Sequence, residues 1–189
     1  ALKAADIGCA MGKNGTEVAK SAADMVLTDD NFSTIVAAVR EGRGIYRNIR
    51  KTIHFLLSCN IGEILVVFAA FLLGAPAPLL AIQLLWVNLV TDSLPALALG
   101  TDPIDRDVMK EPPHPREEGV FSGGMGFSVA VEGCLVGALA LLSYTMGRAW
   151  FDADPMEPAI GRTMAFAVLS LSQLVHSFNM RSDHSVLRL

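Results

Sequence analysis

The chain has 189 residues, of which 52% are hydrophobic and only 18% charged, and its formal net charge is −4. Soluble domains usually carry about a quarter of charged residues, so this composition favours a membrane protein. The net negative charge, with the basic residues grouped within 40–51, argues against a nucleic-acid partner. Cys9, Cys59 and Cys134 lie too far apart to predict a disulfide framework or a thiolate metal site.

The first forty residues have the character of a soluble α/β segment. The pattern predicts a strand near 7–11, a turn at Asn14-Gly15, a helix from about Thr16 and a second strand at 25–27. This stretch is too short to bury a core by itself. It begins without an initiator Met or a signal peptide, so we expect it to continue a longer chain.

A helix is predicted next, over 32–51, with capping side chains in Asp29-Asp30-Asn31 and a basic second half. Four apolar runs follow, and each is close to the twenty residues that a helix needs to cross a bilayer. They are 53–73, 79–99, 124–146 and 163–178. The fold class predicted is therefore mainly α, a polytopic bundle of four membrane helices preceded by a piece of a cytosolic α/β domain.

The loops between the runs predict how the chain is oriented. The Gly-Ala-Pro-Ala-Pro sequence at 74–78 predicts a tight turn, which makes the first two membrane helices antiparallel neighbours. Lys and Arg residues concentrate before the first run, between the second and third, and after the fourth. Because basic loops stay on the cytosolic side, the amino-terminal piece is expected to be cytosolic.

Asp92 falls near the centre of the second run, where a carboxylate is costly. Insertion scales put that cost at about 2.5–3.5 kcal/mol, so the group should face the protein interior and have a partner. Asn88 and Thr91 lie on the same helical face by their spacing. Pro95 removes a backbone hydrogen bond close to Thr91 and Asp92, which is expected to loosen the helix there.

The first and fourth runs add further oxygen-bearing side chains at a similar depth. Asn60 and Glu63 are three residues apart in the first run, and Gln173 lies in the fourth. Together with the residues of the second run, they form a set of six oxygen donors that suits Ca²⁺ better than Zn²⁺ or Cu⁺. The alternative is that these groups only hydrogen-bond helices to each other. For Glu63 and Asp92 ion binding is favoured, because both are carboxylates within apolar runs.

Other polar residues are interpreted as structural. Glu132 is expected to pair with a neighbour near a helix end, and His54 and His176 to pack at the membrane interface. Gly133 and Gly137 form a GxxxG pattern that indicates close helix packing.

Several stretches of the chain resemble P-type ATPases of the calcium-pump branch. They are Ala4–Met11, Asp24–Val36, Glu41-Gly42-Arg43, Asn60-Ile61-Gly62-Glu63 and Gln83–Pro95. The block Leu84–Asp92 is especially similar to sarco/endoplasmic-reticulum calcium pumps and their bacterial relatives.

The resemblance implies a division of the chain and a set of ion ligands. Residues 1–40 would end the cytosolic phosphorylation domain, 41–52 would form a stalk, and 53–180 would hold the family's fifth to eighth membrane helices, with a cytosolic tail at 181–189. The loop 101–122, with Asp105 and Asp107, would couple the ion site to that domain. The implied ion ligands are Asn60, Glu63, Asn88, Thr91 and Asp92, while Gln173 takes the place of a glutamate of the two-calcium pumps.

The function implied is ATP-driven transport of Ca²⁺ out of the cytosol, with Mg²⁺ and ATP used by the full-length pump. The family's phosphorylated DKTG aspartate does not occur in this sequence, so this chain alone is expected not to hydrolyse ATP. The expected partners are Ca²⁺, the remainder of the pump and the lipid bilayer. The alternatives are a pump for Mn²⁺, Na⁺ or K⁺, or a membrane module or channel without enzymatic activity.

Overall fold

The computed structural model describes residues 1–104, 107–110, 112–113, 119–154 and 156–181. The chain is mainly helical, as predicted, and it divides into two compact units. The first comprises Ala1–Tyr46 with Ile104–Pro112, and the second comprises Arg47–Pro103 with Pro113–Leu189. After a 3-10 turn at Leu2–Ala4, the elements are β1 (Cys9–Met11), α1 (Glu17–Ala22), β2 (Met25–Leu27), α2 (Ser33–Leu72), α3 (Ala81–Trp86), a π-helical segment (Val87–Asp92), α4 (Ser93–Gly100), α5 (Met125–Trp150) and α6 (Ala159–Arg181).

The predicted strand–helix–strand pattern at the amino terminus is confirmed. Strands β1 and β2 pair in parallel, with Cys9 opposite Met25 and Met11 opposite Leu27. Helix α1 begins after Thr16, whose side-chain oxygen accepts a hydrogen bond from the Ala19 amide at 3.2 Å. A parallel pair needs a crossover connection, and α1 supplies it.

The polar residues Asp29-Asp30-Asn31 before α2 form hydrogen bonds at the start of the helix, as the sequence predicts, with the exception of Asp30. Asn31 Oδ1 accepts from the Ser33 amide, and Asp29 accepts from the Thr34 hydroxyl, which holds the pKa of Asp29 below its usual value. Asp30 instead accepts from the backbone amides of Lys13 and Asn14, at 2.9 Å each. Those hydrogen bonds, the Lys13 amide first, lower the pKa of the Asp30 carboxyl. Asp30 therefore fastens the turn after β1 and does not cap the helix.

Helix α2 is one continuous helix of 40 residues where the sequence suggested a helix followed by a membrane span. At 1.5 Å per residue it is about 60 Å long, twice the thickness of a bilayer core. No proline interrupts residues 33–72, so nothing in the backbone forces a break between the basic half and the apolar half.

Three helical stretches are long and apolar enough to cross a membrane, among the residues that the structure describes. They are Ser33–Leu72, Ala81–Gly100 and Met125–Trp150. Helix α6, which contains the fourth predicted run, is outside this group. It is less apolar because Arg162, Gln173, His176, Asn179 and Arg181 interrupt it.

Within the second unit, α2 packs antiparallel to the α3–α4 stretch. Phe55 and Cys59, which precede Val66 in α2, share a buried cluster with Ala96 and Leu99 near the end of the α3–α4 stretch. Val66 shares another buried cluster with Val87, which comes earlier in that stretch. The turn that joins these helices is held in place by α5 and α6. Tyr144 donates its hydroxyl to the Pro76 carbonyl at 2.6 Å, and Arg162 Nε donates to the Ala77 carbonyl at 2.9 Å.

The GxxxG pattern of α5 lies against α2, as predicted for close helix packing. A Cβ atom at Gly133 would lie 2.7 Å from Ile61 Cγ2 and 2.9 Å from the Ser58 carbonyl oxygen. A Cβ atom at Gly137 would lie 3.0 Å from the Gly62 carbonyl oxygen. Only glycine allows the two backbones to approach this closely.

We expect Gly133→Val to lower the stability of the full-length protein by about 1–3 kcal/mol or more, because the added methyl groups must push α5 away from α2. Thermal inactivation of purified protein in detergent measures the effect. Gly126→Val is the matched control, because a Cβ at Gly126 would meet nothing within 4 Å. Equal loss of stability in the two variants would contradict the packing role of Gly133.

Candidate cation site

Glu63 is the residue on which the second unit's polar side chains converge. It lies in α2 with 6% of its surface exposed. Asn88, from the π-helical segment, donates from Nδ2 to Glu63 Oε2 at 2.8 Å. Gln173, from α6, donates from Nε2 to Glu63 Oε1 at 3.0 Å. Three separate helical segments thus meet at one carboxylate, and each of its oxygens accepts an amide hydrogen bond.

The two amide groups differ in how their remaining atoms are used. Asn88 Nδ2 also donates to the Leu84 carbonyl at 3.0 Å, and the Asn88 side chain is exposed. Gln173 is fully buried, and its Oε1 atom accepts no hydrogen bond. Gln173 therefore places an unsatisfied oxygen acceptor beside the Glu63 carboxylate.

Asp92 ends the π-helical segment and is 1% exposed. Neither of its carboxylate oxygens has a hydrogen-bond partner among the described residues. The Cys59 thiol of α2 interacts electrostatically with the carboxylate, and a thiol is only a weak donor. A buried carboxylate without a donor is costly, which makes Asp92 the least satisfied polar group of the chain's described interior.

The π-helical segment is the local structure that sets these positions. Pro95 has no amide hydrogen, so the Thr91 carbonyl has no donor four residues ahead. The loosened helix predicted there is confirmed as a wide turn over Val87–Asp92. The Ser93 hydroxyl donates to the Asn88 carbonyl at 2.8 Å and satisfies part of the disturbed backbone. Such wide turns often occur at functional sites.

Asn60 lies on α2 and Thr91 on the π-helical segment, and the hydrogen bonds described for the site do not join them to Glu63 or Asp92. Asn60 is partly buried, and its Nδ2 donates to the Leu56 carbonyl at 2.7 Å, which leaves Oδ1 as an acceptor. Thr91 is 6% exposed. Of the six residues selected from the sequence, the structure joins Glu63, Asn88 and Gln173 by hydrogen bonds. Thr91 and Asp92, which follow Asn88 in the π-helical segment, are buried.

The side chains of the six candidate residues offer oxygen atoms as ligands to a cation. Four buried side-chain oxygens have no hydrogen-bond partner among the described residues, two on Asp92 and one each on Gln173 and Ser170. No group of three or more His, Cys, Asp or Glu side chains within the described ranges has the geometry to hold a metal ion. The set instead combines two carboxylates with amide and hydroxyl oxygens, which is the ligand chemistry that hard cations prefer.

Of the two aspartates predicted in the coupling loop, the structure describes Asp107. Asp105 lies outside the described residues. Asp107 belongs to the first unit, is exposed, and forms an ion pair with Lys110 at 2.6 Å. That hydrogen bond raises the pKa of the Lys110 ammonium group. In the same unit Arg43 donates to the carbonyl of the buried Val108 at 3.1 Å.

Sequence reasoning treated His54, Glu132 and His176 as separate packing residues, but the structure joins them. Glu132 Oε2 lies 2.6 Å from His54 Nε2 and 3.6 Å from His176 Nε2. The expectation that Glu132 pairs with a neighbour is confirmed. The signal that sequence analysis passed over is the spacing of Gln173 and His176, three residues apart on one face of α6.

Comparison with known proteins identifies the family of the chain. Residues 76–189 match the family model described as cation transporting ATPase, C-terminus. The chain belongs to the cation-transporting ATPase family. This match covers the π-helical segment and α6, which supply Asn88, Thr91, Asp92 and Gln173.

Relatives within the family extend the similarity to nearly the whole chain. The chain is 55% identical to the calcium-transporting ATPase 1 of Bacillus cereus, over 96% of its length and 22% of the relative's. It is 51% identical to the calcium-transporting ATPase of Bacillus subtilis, over 98% of its length and 21% of the relative's. It is 52% identical to the endoplasmic reticulum calcium ATPase srcA of Aspergillus fumigatus, over 85% of its length and 16% of the relative's. The resemblance drawn from the sequence is thereby confirmed, and the chain spans about a fifth of the length of these relatives.

Proposed function

We propose that this chain is part of an ATP-driven pump that transports Ca²⁺ out of the cytosol, and that it contributes much of the ion site. The observation that carries the proposal is the pair of buried Asp92 oxygens without a donor, in a helical stretch apolar enough to span a membrane. A desolvated carboxylate of this kind is stabilised by a cation. The family membership and the names of the relatives point to Ca²⁺ as that cation.

Each candidate ligand has a role in this proposal. Asp92 is the central ligand, because its carboxylate can balance the charge of a bound cation and its only neighbouring donor among the described residues is the weak Cys59 thiol. Asn88, Thr91 and Asn60 supply neutral oxygens. Glu63 is held by two amide donors, so it can bind the ion or carry a proton when the ion leaves. Gln173 supplies a neutral oxygen from α6.

The rest of the chain follows the same proposal. Residues 1–40 end a cytosolic phosphorylation domain, 41–52 form a stalk, and α6 is a fourth membrane helix after the three apolar stretches. The loop 101–122, with Asp105 and Asp107, couples the ion site to that domain.

Mg²⁺ and ATP act in parts of the full-length protein beyond this chain, where an aspartate is phosphorylated. Phosphorylation would shift the helices between two states that differ in ion affinity. Protons that neutralise Glu63 or Asp92 in the empty state would be carried in the opposite direction.

Transport by the purified full-length protein in sealed lipid vesicles tests the proposal. We expect ATP-driven uptake of radioactive Ca²⁺ that a calcium ionophore releases, because the ion moves into a closed space. Uptake of Mn²⁺, or stimulation by Na⁺ or K⁺ without Ca²⁺ uptake, would identify a pump for another ion. Passive Ca²⁺ flux that ignores ATP would identify a channel and overturn the proposal.

A further inference from the structure

A second polar cluster lies apart from the candidate cation ligands, where α2, α5 and α6 meet. Glu132 of α5 is its centre, with His54 of α2 at 2.6 Å and His176 of α6 at 3.6 Å, both measured from Nε2 to Glu132 Oε2. The side chains of His54, Glu132 and His176 are 17%, 29% and 9% exposed. Two imidazoles thus share one carboxylate oxygen in a mostly buried setting.

The hydrogen bonds determine where the imidazole protons are. The Ser58 hydroxyl has one hydrogen, and it donates to the His54 carbonyl at 2.6 Å. Its 3.1 Å contact with His176 Nε2 must therefore be donated by the imidazole. His54 Nε2 likewise donates to Glu132, because an ionised carboxylate only accepts. Each ring then has Nδ1 as the atom at which a further proton can bind.

The charge of the cluster depends on one proton. With neutral rings and an ionised Glu132 the cluster carries one negative charge, and one added proton makes it neutral. Imidazole is the side chain that ordinarily gains a proton between about pH 5 and 8. Other titratable groups on the packed elements are Cys59 and Glu63 of α2 and Asp92 of the π-helical segment, which packs against α6. Lys51 of α2 donates to the Arg181 carbonyl at the end of α6. Helix α4, which packs against α6, contains none.

The cluster is close enough to the candidate cation site to influence it electrostatically. His176 lies three residues from Gln173 on α6, a rise of about 4.5 Å. Cys59 interacts electrostatically with both Glu132 and Asp92. Glu132 and His176 also border a mostly apolar cavity of about 400 Å³ between α5 and α6, together with Asn179.

We propose that His54, Glu132 and His176 form a proton-binding site, separate from the cation ligands, whose charge sets the affinity of the pump for Ca²⁺. The inference rests on the proposed function. A proton from water binds an imidazole Nδ1 at low pH and returns to water at high pH. The deprotonated cluster, with its net negative charge, attracts the divalent ion, and the protonated cluster does not.

Two variants of the full-length pump should shift Ca²⁺ affinity in opposite directions. Glu132→Gln removes the negative charge of the cluster, and the imidazoles bind a proton less readily without the carboxylate, so the Ca²⁺ concentration for half-maximal phosphorylation by ATP should be roughly threefold to tenfold above wild type at pH 8. His54→Gln removes one of the two imidazoles that can bind the proton, so the cluster stays more negative at pH 6 and that concentration should fall below wild type by a similar factor. Both variants should flatten the pH dependence.

The controls separate this inference from a structural role and from the proposed function. Glu157→Gln removes an exposed carboxylate and should follow the wild-type pH profile. Phosphorylation from inorganic phosphate without Ca²⁺ reports whether each variant is folded. A His54→Gln/His176→Gln double variant should shift Ca²⁺ affinity in the same direction as His54→Gln, and it takes the place of that variant if His54→Gln alone does not fold. Shifts of Glu132→Gln and His54→Gln in one common direction, or pH profiles parallel to wild type, overturn the proton-binding site. A wild-type pump that Ca²⁺ does not activate overturns the proposed function instead.

Discussion

Asp92→Asn in the full-length pump should abolish phosphorylation by ATP at Ca²⁺ concentrations that saturate the wild type. The amide removes the negative charge that offsets dehydration of the ion, in a site where the Asp92 carboxylate accepts no hydrogen bond from the described residues apart from its contact with the Cys59 thiol. Removing one member of a buried charge pair costs about 3–5 kcal/mol, so Ca²⁺ affinity should fall by roughly two to four powers of ten. Phosphoenzyme formation against Ca²⁺ concentration measures the loss.

The same variant should still be phosphorylated by inorganic phosphate, because that reaction runs from the state without bound ion. Asp154→Asn is the matched control, since Asp154 is exposed and its Oδ1 accepts from the Met156 amide, which an amide oxygen can also do. Calcium-activated phosphorylation of Asp92→Asn at ordinary affinity would remove Asp92 from the site. Loss of both reactions would indicate misfolding, and Asp92→Glu, which keeps the charge, would then have to restore Ca²⁺ activation.

The residues of the candidate site could be predicted from the sequence, because polar residues stand out within apolar helices. Glu63, Asp92 and Gln173 interrupt long apolar runs, and each is buried in the structure. Pro95 also predicted a disturbed helix, since its missing amide hydrogen is a local property of the chain. Features of this kind depend on one residue and its immediate neighbours, so they can be read before the fold is known.

Features that depend on partners could not be read in the same way. The spacing of Asn88 and Asp92 suggested one shared face, and both residues do contact α2, Asn88 through Glu63 and Asp92 through Cys59. The spacing could not predict which partner each of them would have. The π-helical geometry changes the number of residues per turn, and no propensity rule predicts it at this position. The cluster around Glu132 was missed for a related reason, because its members come from three helices whose mutual rotation depends on packing.

A further expected result is a binding stoichiometry of one Ca²⁺ per phosphoenzyme. The resemblance to two-calcium pumps implies a glutamate at the position that Gln173 takes in this chain. Here the Gln173 amide donates a hydrogen bond to Glu63, so it holds that carboxylate by a neutral contact. A second divalent ion beside the first would need further negative charge, because two cations repel strongly where screening is poor.

Equilibrium binding of radioactive Ca²⁺ to the full-length pump, divided by the amount of phosphoenzyme, should therefore give a ratio near one. Gln173→Glu should raise the ratio toward two, or else bind an extra proton, because a second carboxylate about 3 Å from Glu63 cannot stay charged without a cation. Gln83→Glu is the matched control, since Gln83 makes the same change of charge at the start of α3, where its side chain accepts from the Leu80 amide. The control should leave the ratio at one. A wild-type ratio near two would mean that Gln173, or a group beyond this chain, completes a second site without added charge, and that the neutral contact between Gln173 and Glu63 opens when the ions bind.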